Sequence, residues 1–349
     1  MKKRFVLAGL FAAATATISS VGVLGQKRTM NLFIWSEYID PAIVKAFEKK
    51  TGSKVNISLY ESMEDMLAKL EQGGTKQYDV IVPSTYSIKT LIGKKLVQPL
   101  ELSKITNYKN LSKRFKNPNY DPGNKYTVAY QWGTTGIGYR KDKVKNFDKS
   151  WSLLFDPKKQ QGPFVMLDDM RVMLGGALRY LGYPQNDINL DHLKEAGKII
   201  QEAKTRALGF DGSPGGKNKL LGGQASTAVI YNGEAARGIR DNPNLGYFLP
   251  KEGTEIWVDS LMITSGAPNK DLATQFINYI LDAKVGAQLS DFNQFASPNE
   301  ASKAFMSKAD VKNTVIYPSD KELATLEFTA DIGANLKLYD AVWTKLKSR

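Results

Sequence analysis

Short apolar runs alternate with amphipathic segments along the first hundred residues of the chain. Each apolar run is long enough for a buried strand and too short for a buried helix. Asp40 and Pro41 form a start signal for the first helix, and Gly52 forms its stop signal. The resulting βαβαβα order predicts a parallel, doubly wound sheet with right-handed crossovers. The predicted strands are Thr29–Trp35, 55–59 and 79–83, and the predicted helices are 40–52, 62–72 and 86–95.

A second alternation of the same kind begins at residue 164. Before it, the extended segment 126–139 is expected to cross between the two halves of the molecule, and the Gly-rich stretch 210–218 is expected to be a loop. The predicted strands are Phe164–Leu167, Thr227–Tyr231, 245–249 and Glu255–Thr264, and the predicted helices are 169–181, 191–207, 234–240 and 270–281.

The length of 349 residues exceeds what a single hydrophobic core usually supports. We therefore predict an α/β fold with two lobes, each a central, mainly parallel sheet flanked by helices. We assign residues 26–134 plus about 260–300 to lobe 1. Residues of about 135–259 plus about 301–349 are assigned to lobe 2.

The first 25 residues have the pattern of a secretory signal peptide. Lys2, Lys3 and Arg4 precede an apolar run at 5–14, which is shorter than the ~20 residues that a transmembrane helix needs. We therefore predict a signal peptide over 1–25 and a soluble, exported, periplasmic protein. Gln26 stands where a lipoprotein signal has Cys, so lipid attachment is expected only if Gln26 replaces a natural Cys.

The chain has no Cys and a single His, His192. This composition excludes disulfides, thiolate metal ligands and Cys nucleophiles, and it leaves no His triad or His-rich zinc site. The Gly residues at 133–138 have GxxGxG spacing rather than the GxGxxG of dinucleotide sites, and no P-loop is present. We expect no metal and no cofactor. A hydrolase that uses a pair of carboxylates stays open as an enzyme alternative.

Lys and Arg outnumber Asp and Glu by 48 to 35, which gives a formal net charge of +13. Such a charge is typical of proteins that bind nucleic acid or anionic membranes. No base-stacking aromatic residues are interleaved with the Lys and Arg runs, so nucleic acid is not expected as a partner.

Aromatic and acidic residues recur together where predicted strands end, which is where doubly wound sheets bind their ligands. In the strand Glu255–Thr264, the period-two alternation of side chains puts Trp257 and Asp259 on one face. Each residue also has a structural alternative: Asp169 as a helix cap, Glu37 as a solvated loop residue, Trp257 as a core aromatic. The residues at the other strand ends are Trp35, Ser36, Glu37, Tyr38, Ser84, Tyr86, Asp169, Tyr231 and Glu234.

Carboxylates and aromatic faces around one cleft suit a cation with an apolar body. Carboxylates accept charge-assisted hydrogen bonds from ammonium groups. Ring faces pack against methylenes and attract the cation by about 0.5–2 kcal/mol each. The residues alone leave three classes open: a binding protein for such a cation, a binding protein for another organic cation or solute, and a secreted carboxylate-pair hydrolase.

Several long motifs occur in a fixed order from residue 31 to residue 347. They are NLFIWSEY at 31–38, YDVIVPSTY at 78–86, LDD at 167–169, YNG at 231–233, PKEG at 250–253, WVDSL at 257–261 and YDAVWTKLK at 339–347. In this order the chain resembles the spermidine/putrescine-binding periplasmic proteins of polyamine ABC importers. The resemblance implies a two-lobe periplasmic solute-binding fold with a ligand cleft between the lobes. It also implies polyamine capture without enzymatic activity, delivery to a membrane ABC permease, and a monomer.

The resemblance also assigns ligand contacts and departures from the family pattern. Spermidine-type members have a Glu where this chain has Val172, and a Gln where it has Thr329, so one ammonium partner is missing. Glu234, at a position where putrescine-type members have an acid, is the expected replacement. Tyr231 and Phe295 stand where the family has Trp and Tyr. The contacts that match are Trp35, Ser36, Glu37, Tyr38, Ser84, Tyr86, Asp169, Trp257 and Asp259.

Overall fold

The structure, a computed structural model, describes residues 28–348. The predicted signal peptide at 1–25 and Gln26 lie outside the described residues. Within 28–348, no helix is both long enough and apolar enough to cross a membrane.

The strands follow the predicted order along the chain. The described residues form β1 Thr29–Trp35, β2 Lys54–Tyr60, β3 Val80–Ile81, β4 Val97–Gln98, β5 Val128–Arg140, β6 Phe164–Leu167, β7 Phe210–Asp211, β8 Thr227–Tyr231, β9 Leu245–Phe248, β10 Glu255–Thr264 and β11 Glu327–Phe328.

The α-helices lie between and after these strands. They are α1 Pro41–Thr51, α2 Met63–Glu71, α3 Ile88–Gly93, α4 Ser152–Phe155, α5 Met170–Tyr180, α6 Leu190–Lys204, α7 Ser213–Leu221, α8 Asn232–Asp241, α9 Lys270–Ile280, α10 Ala283–Asn293, α11 Lys308–Val311, α12 Asp320–Leu323 and α13 Leu336–Ser348. Four short 3₁₀ helices lie between β4 and β5.

Two parallel sheet regions are joined by two long antiparallel strands. In one region β1 pairs in parallel with β2 and β3, and in the other β6 pairs in parallel with β7 and β8. β10 pairs antiparallel with β3 and with the first half of β5, whose second half pairs with β8 and β9. The two-lobe α/β fold is confirmed, and the segment predicted at 126–139 is the long strand β5. The residue boundaries of the lobes stay a prediction.

The helix signals in the sequence act as predicted. The Asp40 carboxylate accepts a hydrogen bond from the backbone N–H of Ala42 at 2.8 Å, and Gly52 ends α1 in the left-handed conformation, with φ of 65°. Asp169 caps α5 in the same way, because its carboxylate accepts from the N–H of Val172 at 3.0 Å. This capping bond fixes the Asp169 side chain directly after β6.

The prediction of a loop at 210–218 is wrong, because α7 begins at Ser213. Pro214 lies in its first turn, where a helix tolerates proline. Gly216 is required by close packing rather than by a turn: a Cβ there would lie 2.9 Å from a methyl carbon of Ile230 in β8. Gly216 therefore allows α7 to pack closely against β8.

Candidate functional site

A cavity of about 120 Å³ lies at the carboxyl ends of β1, β6 and β8 and against β10. A larger space of about 700 Å³ shares Trp35, Glu37 and Asp169 with it. The structure brings all twelve predicted contact residues together around the smaller cavity. They are Trp35, Ser36, Glu37, Tyr38, Ser84, Tyr86, Asp169, Tyr231, Glu234, Trp257, Asp259 and Phe295.

One face of β10 forms a wall of this cavity. Glu255, Trp257 and Asp259 are spaced two residues apart, so the pleat turns all three the same way, and all three line the cavity. A bulge follows Asp259, where the register of β10 against β5 shifts before Ser260. Asp259 also forms an isolated antiparallel bridge with Ser84, whose hydroxyl donates a hydrogen bond to the Asp259 carboxylate. Bulges commonly redirect a side chain next to a site.

Asp259 is a buried carboxyl group whose partners are hydroxyls. It is 5% exposed, and burial raises its pKa to about 7, while the nearby hydroxyls of Ser84 and Tyr38 act against the shift. No Lys, Arg or His of the described residues contributes to that shift. Near neutral pH the free protein therefore holds Asp259 partly protonated, although a cation beside it would favour the charged form.

Asp169 is a second acid that lines the cavity, and it also caps helix α5. One carboxylate oxygen accepts the N–H of Val172, and the other accepts the hydroxyl of Tyr231 at 3.1 Å. Burial raises the pKa of Asp169, while these hydrogen bonds and the charge of Arg171 lower it. Arg171 lies two residues after Asp169 in the chain, and its guanidinium lies 5.4 Å from the ring centre of Tyr86.

Glu255 is a cavity residue that the sequence analysis missed. It is 4% exposed, and its two oxygens accept hydrogen bonds from Thr135 and Thr329, each at 2.5 Å. Burial, and secondarily the negative charge of Asp169, raises the pKa of Glu255. The signal that could have found Glu255 was present, since the alternation that pairs Trp257 with Asp259 puts residue 255 on the same face. Gly212, Ser213 and Pro214 were missed because the start of α7 was predicted as loop.

Glu37 and Glu234 line the cavity but already have cationic partners. One Nη atom of Arg237 donates to the carboxylates of both residues, with a distance of 3.1 Å to Glu37. Lys217 lies 3.4 Å from Glu234. Glu37 also has a left-handed backbone, with φ of 52°, at the turn after β1. Among the described acids that line the cavity and are buried or half-buried, those without an ion-pair partner are therefore Asp259, Glu255 and Asp169. The charge of Arg171 acts on the pKa of Glu255 and of Asp169 but not on that of Asp259.

A series of aromatic rings meeting edge to face completes the wall. The ring of Trp257 lies 5.8 Å from Tyr231 and 5.1 Å from Phe295, and Phe295 lies 5.5 Å from Tyr38. These geometries are favourable for ring quadrupoles. Gly133, opposite Trp257 in the β5–β10 pair, leaves room for the indole, because a Cβ there would lie 2.5 Å from it. The ring positions are thus fixed by packing.

Polar contacts hold two of the residues that line the cavity. Trp35 donates its indole N–H to the carbonyl of Val82 at 3.1 Å, and the Ser36 hydroxyl donates to Glu61. Among residues 28–348 no group of His, Cys, Asp or Glu is arranged to hold a metal ion. A rigid aromatic wall with buried acids is therefore suited to an organic cation.

Comparisons with known proteins agree on one family. The family model described as bacterial extracellular solute-binding protein matches residues 42–321. The spermidine/putrescine-binding periplasmic protein of Escherichia coli K12 is 32% identical over 340 residues, covering 97% of each chain. The putrescine-binding periplasmic protein SpuD of Pseudomonas aeruginosa is 31% identical over 367 residues, covering all of both chains.

A solved structure has the same fold. It is a candidate spermidine/putrescine ABC transporter protein from Listeria monocytogenes, and it matches with a TM-score of 0.87 and 34% identity. The match covers 92% of this chain and 99% of that one.

Proposed function

This chain belongs to the family of bacterial extracellular solute-binding proteins, and we propose that it captures a polyamine-type cation outside the cytoplasm and delivers it to an ABC permease. Members of this family are solute-binding transport proteins rather than enzymes, so the carboxylate-pair hydrolase is set aside. The relatives named for spermidine and putrescine support the ligand class, as does the chemistry of the cavity.

The observation that carries the proposal is a set of buried acids without cationic partners beside an aromatic wall. Asp259 and Glu255 are each at most 5% exposed, and they flank Trp257 on one face of β10. A buried carboxylate without a cation is costly, and an ammonium group that replaces its proton supplies both charge and hydrogen-bond donors. A sugar has no ammonium group, and the carboxylate of an amino acid would be repelled by these acids.

We propose that the ligand lies along the aromatic wall. Its ammonium groups meet the acids, and its methylenes pack on Trp257, Phe295 and Tyr38, whose rings are already held edge to face. The lobes close around the ligand by a hinge motion about the strands that join them, and the closed form docks on the permease.

A panel of ligands tests the proposed function. Putrescine, cadaverine, spermidine or spermine is expected to raise the unfolding temperature by several degrees, because ligand at about 100 times its Kd stabilises the folded state by about 2.7 kcal/mol. The measurement is thermal unfolding of the purified protein. Matched controls are 1,4-butanediol, which has the carbon chain of putrescine without its charges, and a set of sugars and amino acids. If none of the four amines shifts the unfolding temperature, the proposed function is wrong; if a sugar or an amino acid shifts it and the amines do not, the ligand class is wrong.

Arg237 is expected to limit the length of the ligand, because it occupies the charges of Glu37 and Glu234. Arg237→Met frees Glu37 to meet a further ammonium group. The ratio of spermidine to putrescine affinity should therefore rise by about twofold to fivefold, the range for an exposed ion pair. Titration calorimetry with both amines measures that ratio.

The control for this variant is Arg240→Met, which removes the same charge from an exposed position of the same helix. Its affinity ratio should stay that of the wild type. An Arg237→Met ratio equal to that of Arg240→Met would show that Arg237 does not select among polyamines.

A further inference from the structure

Glu255 lines the cavity but is not among the ligand contacts that the family resemblance implies. Glu255 is buried in the wall, and its hydrogen-bond partners are the hydroxyls of Thr135 and Thr329. It has no ion pair among the described residues, although the charge of Arg171 lowers its pKa. Three other acids of the same cavity, in contrast, have cationic partners. Glu37 and Glu234 share Arg237, and Asp168 is bonded to Lys347 at 2.7 Å.

The hydrogen bonds of Glu255 fix the orientation of its carboxylate but do not use all of its acceptor positions. Each carboxylate oxygen has two acceptor positions. Thr135 occupies one position on one oxygen, and Thr329 occupies one on the other. Two acceptor positions are left over. Asp169 is in the same condition, since Val172 and Tyr231 each use one position on a different oxygen.

The two acids also oppose each other electrostatically. Asp169 and Glu255 line the same cavity of about 120 Å³, and the negative charge of Asp169 raises the pKa of Glu255 while the charge of Arg171 lowers it. A primary ammonium group carries three N–H donors and one positive charge. Such a group beside both acids fills their free acceptor positions and replaces mutual repulsion with attraction.

A further observation in the same wall indicates an absent occupant. Trp257 lies between Glu255 and Asp259 on the cavity face of β10 and is 7% exposed. Its indole nitrogen has no hydrogen-bond partner among the described residues. Buried indole N–H groups ordinarily have a partner, so this wall is complete only with a ligand or its bound water in place.

We propose that Glu255 is a ligand-binding residue, and that with Asp169 it forms a two-carboxylate seat for one primary ammonium group of the ligand. Glu255 and Asp259 are four residues apart on one strand, so their Cα atoms are separated by about 13 Å. The ligand therefore carries a cationic group at each end, with its apolar chain across Trp257. This inference rests on the proposed polyamine function and deepens it.

The test compares Glu255→Gln with the wild type. Glutamine keeps the size of the side chain but carries no charge. Its amide oxygen accepts a hydrogen bond from one threonine, and its amide NH2 donates to the hydroxyl oxygen of the other. Affinity for putrescine and spermidine at pH 8 should fall by about tenfold or more, as measured by titration calorimetry. Glu300→Gln, which removes the charge of an exposed residue paired with Lys303, should keep wild-type affinity.

A second measurement separates ligand binding from a structural role. The wild type should release protons when putrescine binds near pH 7, because the ligand replaces protons on the acids. Calorimetry in buffers of different ionisation enthalpy measures this release. Glu255→Gln should release fewer protons, whereas loss of a purely structural hydrogen bond would leave the number unchanged.

The outcomes are distinguishable from failure of the proposed function. If the wild type binds polyamines and Glu255→Gln keeps both wild-type affinity and proton release, Glu255 is structural and this inference is overturned. If the wild type binds no amine, the proposed function itself is wrong. Should Glu255→Gln fail to fold, the fallback variant is Glu255→Asp, which keeps the charge but shortens the side chain by one methylene. Wild-type affinity in that variant would likewise overturn the inference.

Discussion

Replacing Asp259 with asparagine is expected to weaken the binding of putrescine and spermidine by at least about tenfold, or about 1.4 kcal/mol. Asparagine has the same shape and still accepts the hydrogen bond of Ser84, so the change removes charge rather than packing. The effect should be large because Asp259 is 5% exposed, and a buried charge-assisted hydrogen bond is poorly screened by solvent. Titration calorimetry at pH 8, where the carboxyl group is ionised, gives the largest difference.

A matched variant controls for the loss of a negative charge from the protein as a whole. Asp271→Asn removes a carboxylate on α9 whose side chain is 79% exposed, and polyamine affinity should not change. Equal affinities in the Asp259→Asn protein and the wild type would mean that Asp259 does not anchor an ammonium group. The aromatic wall would then have to account for binding by itself.

The fold was largely predictable because its elements carry local signals. β1 and β10 have the bounds that their apolar patterns predicted, and Asp40 and Asp169 cap the helices that follow them. The prediction failed at α7, where Gly216 serves packing against Ile230. A single sequence cannot distinguish a glycine needed for a close approach from one needed for a turn, because the distinction depends on a residue distant in the chain.

The sequence predicted which residues line the candidate site, but not which of its acids have cationic partners. Parallel strands end at one edge, so the acids and rings after β1, β6 and β8 were expected to meet, and they line one cavity. The pairing of Glu37 with Arg237 spans 200 residues, and no local pattern reveals it. Glu234 was expected to replace the acid absent at Val172, but it is held by Arg237 and Lys217. Which acids are left for a ligand is decided by tertiary contacts.

The net charge of +13 gives little information about this cavity. The acids on its inner wall have the opposite sign to the molecule as a whole, and they act at short range. Long-range repulsion between a basic protein and a polycation is screened over about 8 Å at physiological ionic strength. The proposed capture of a cation would therefore depend on Asp259, Glu255 and Asp169 rather than on the net charge of the surface.

The buried Asp259 should also make the empty protein less stable as pH rises. Burial raises its pKa in the folded state to about 7, against about 3.9 in the unfolded chain, so between these values the folded state binds the extra proton. The contribution is fully present below about pH 4 and is lost as pH rises to about 7. Its upper limit is about 4 kcal/mol, since one pKa unit corresponds to about 1.4 kcal/mol.

Denaturant unfolding of ligand-free protein at pH 5 and pH 8 measures this loss. The free energy of unfolding of the wild type should fall between the two values by more than that of Asp259→Asn, which has no proton to lose at this position. The hydroxyls of Ser84 and Tyr38 that face Asp259 stay neutral over this range, so they do not obscure the difference. A fall of the same size in both proteins would show that Asp259 ionises with an ordinary pKa. The cavity would then gain nothing from exchanging a proton for an ammonium group, and the charge-based account of polyamine capture would have to rest on Asp169 and Glu255.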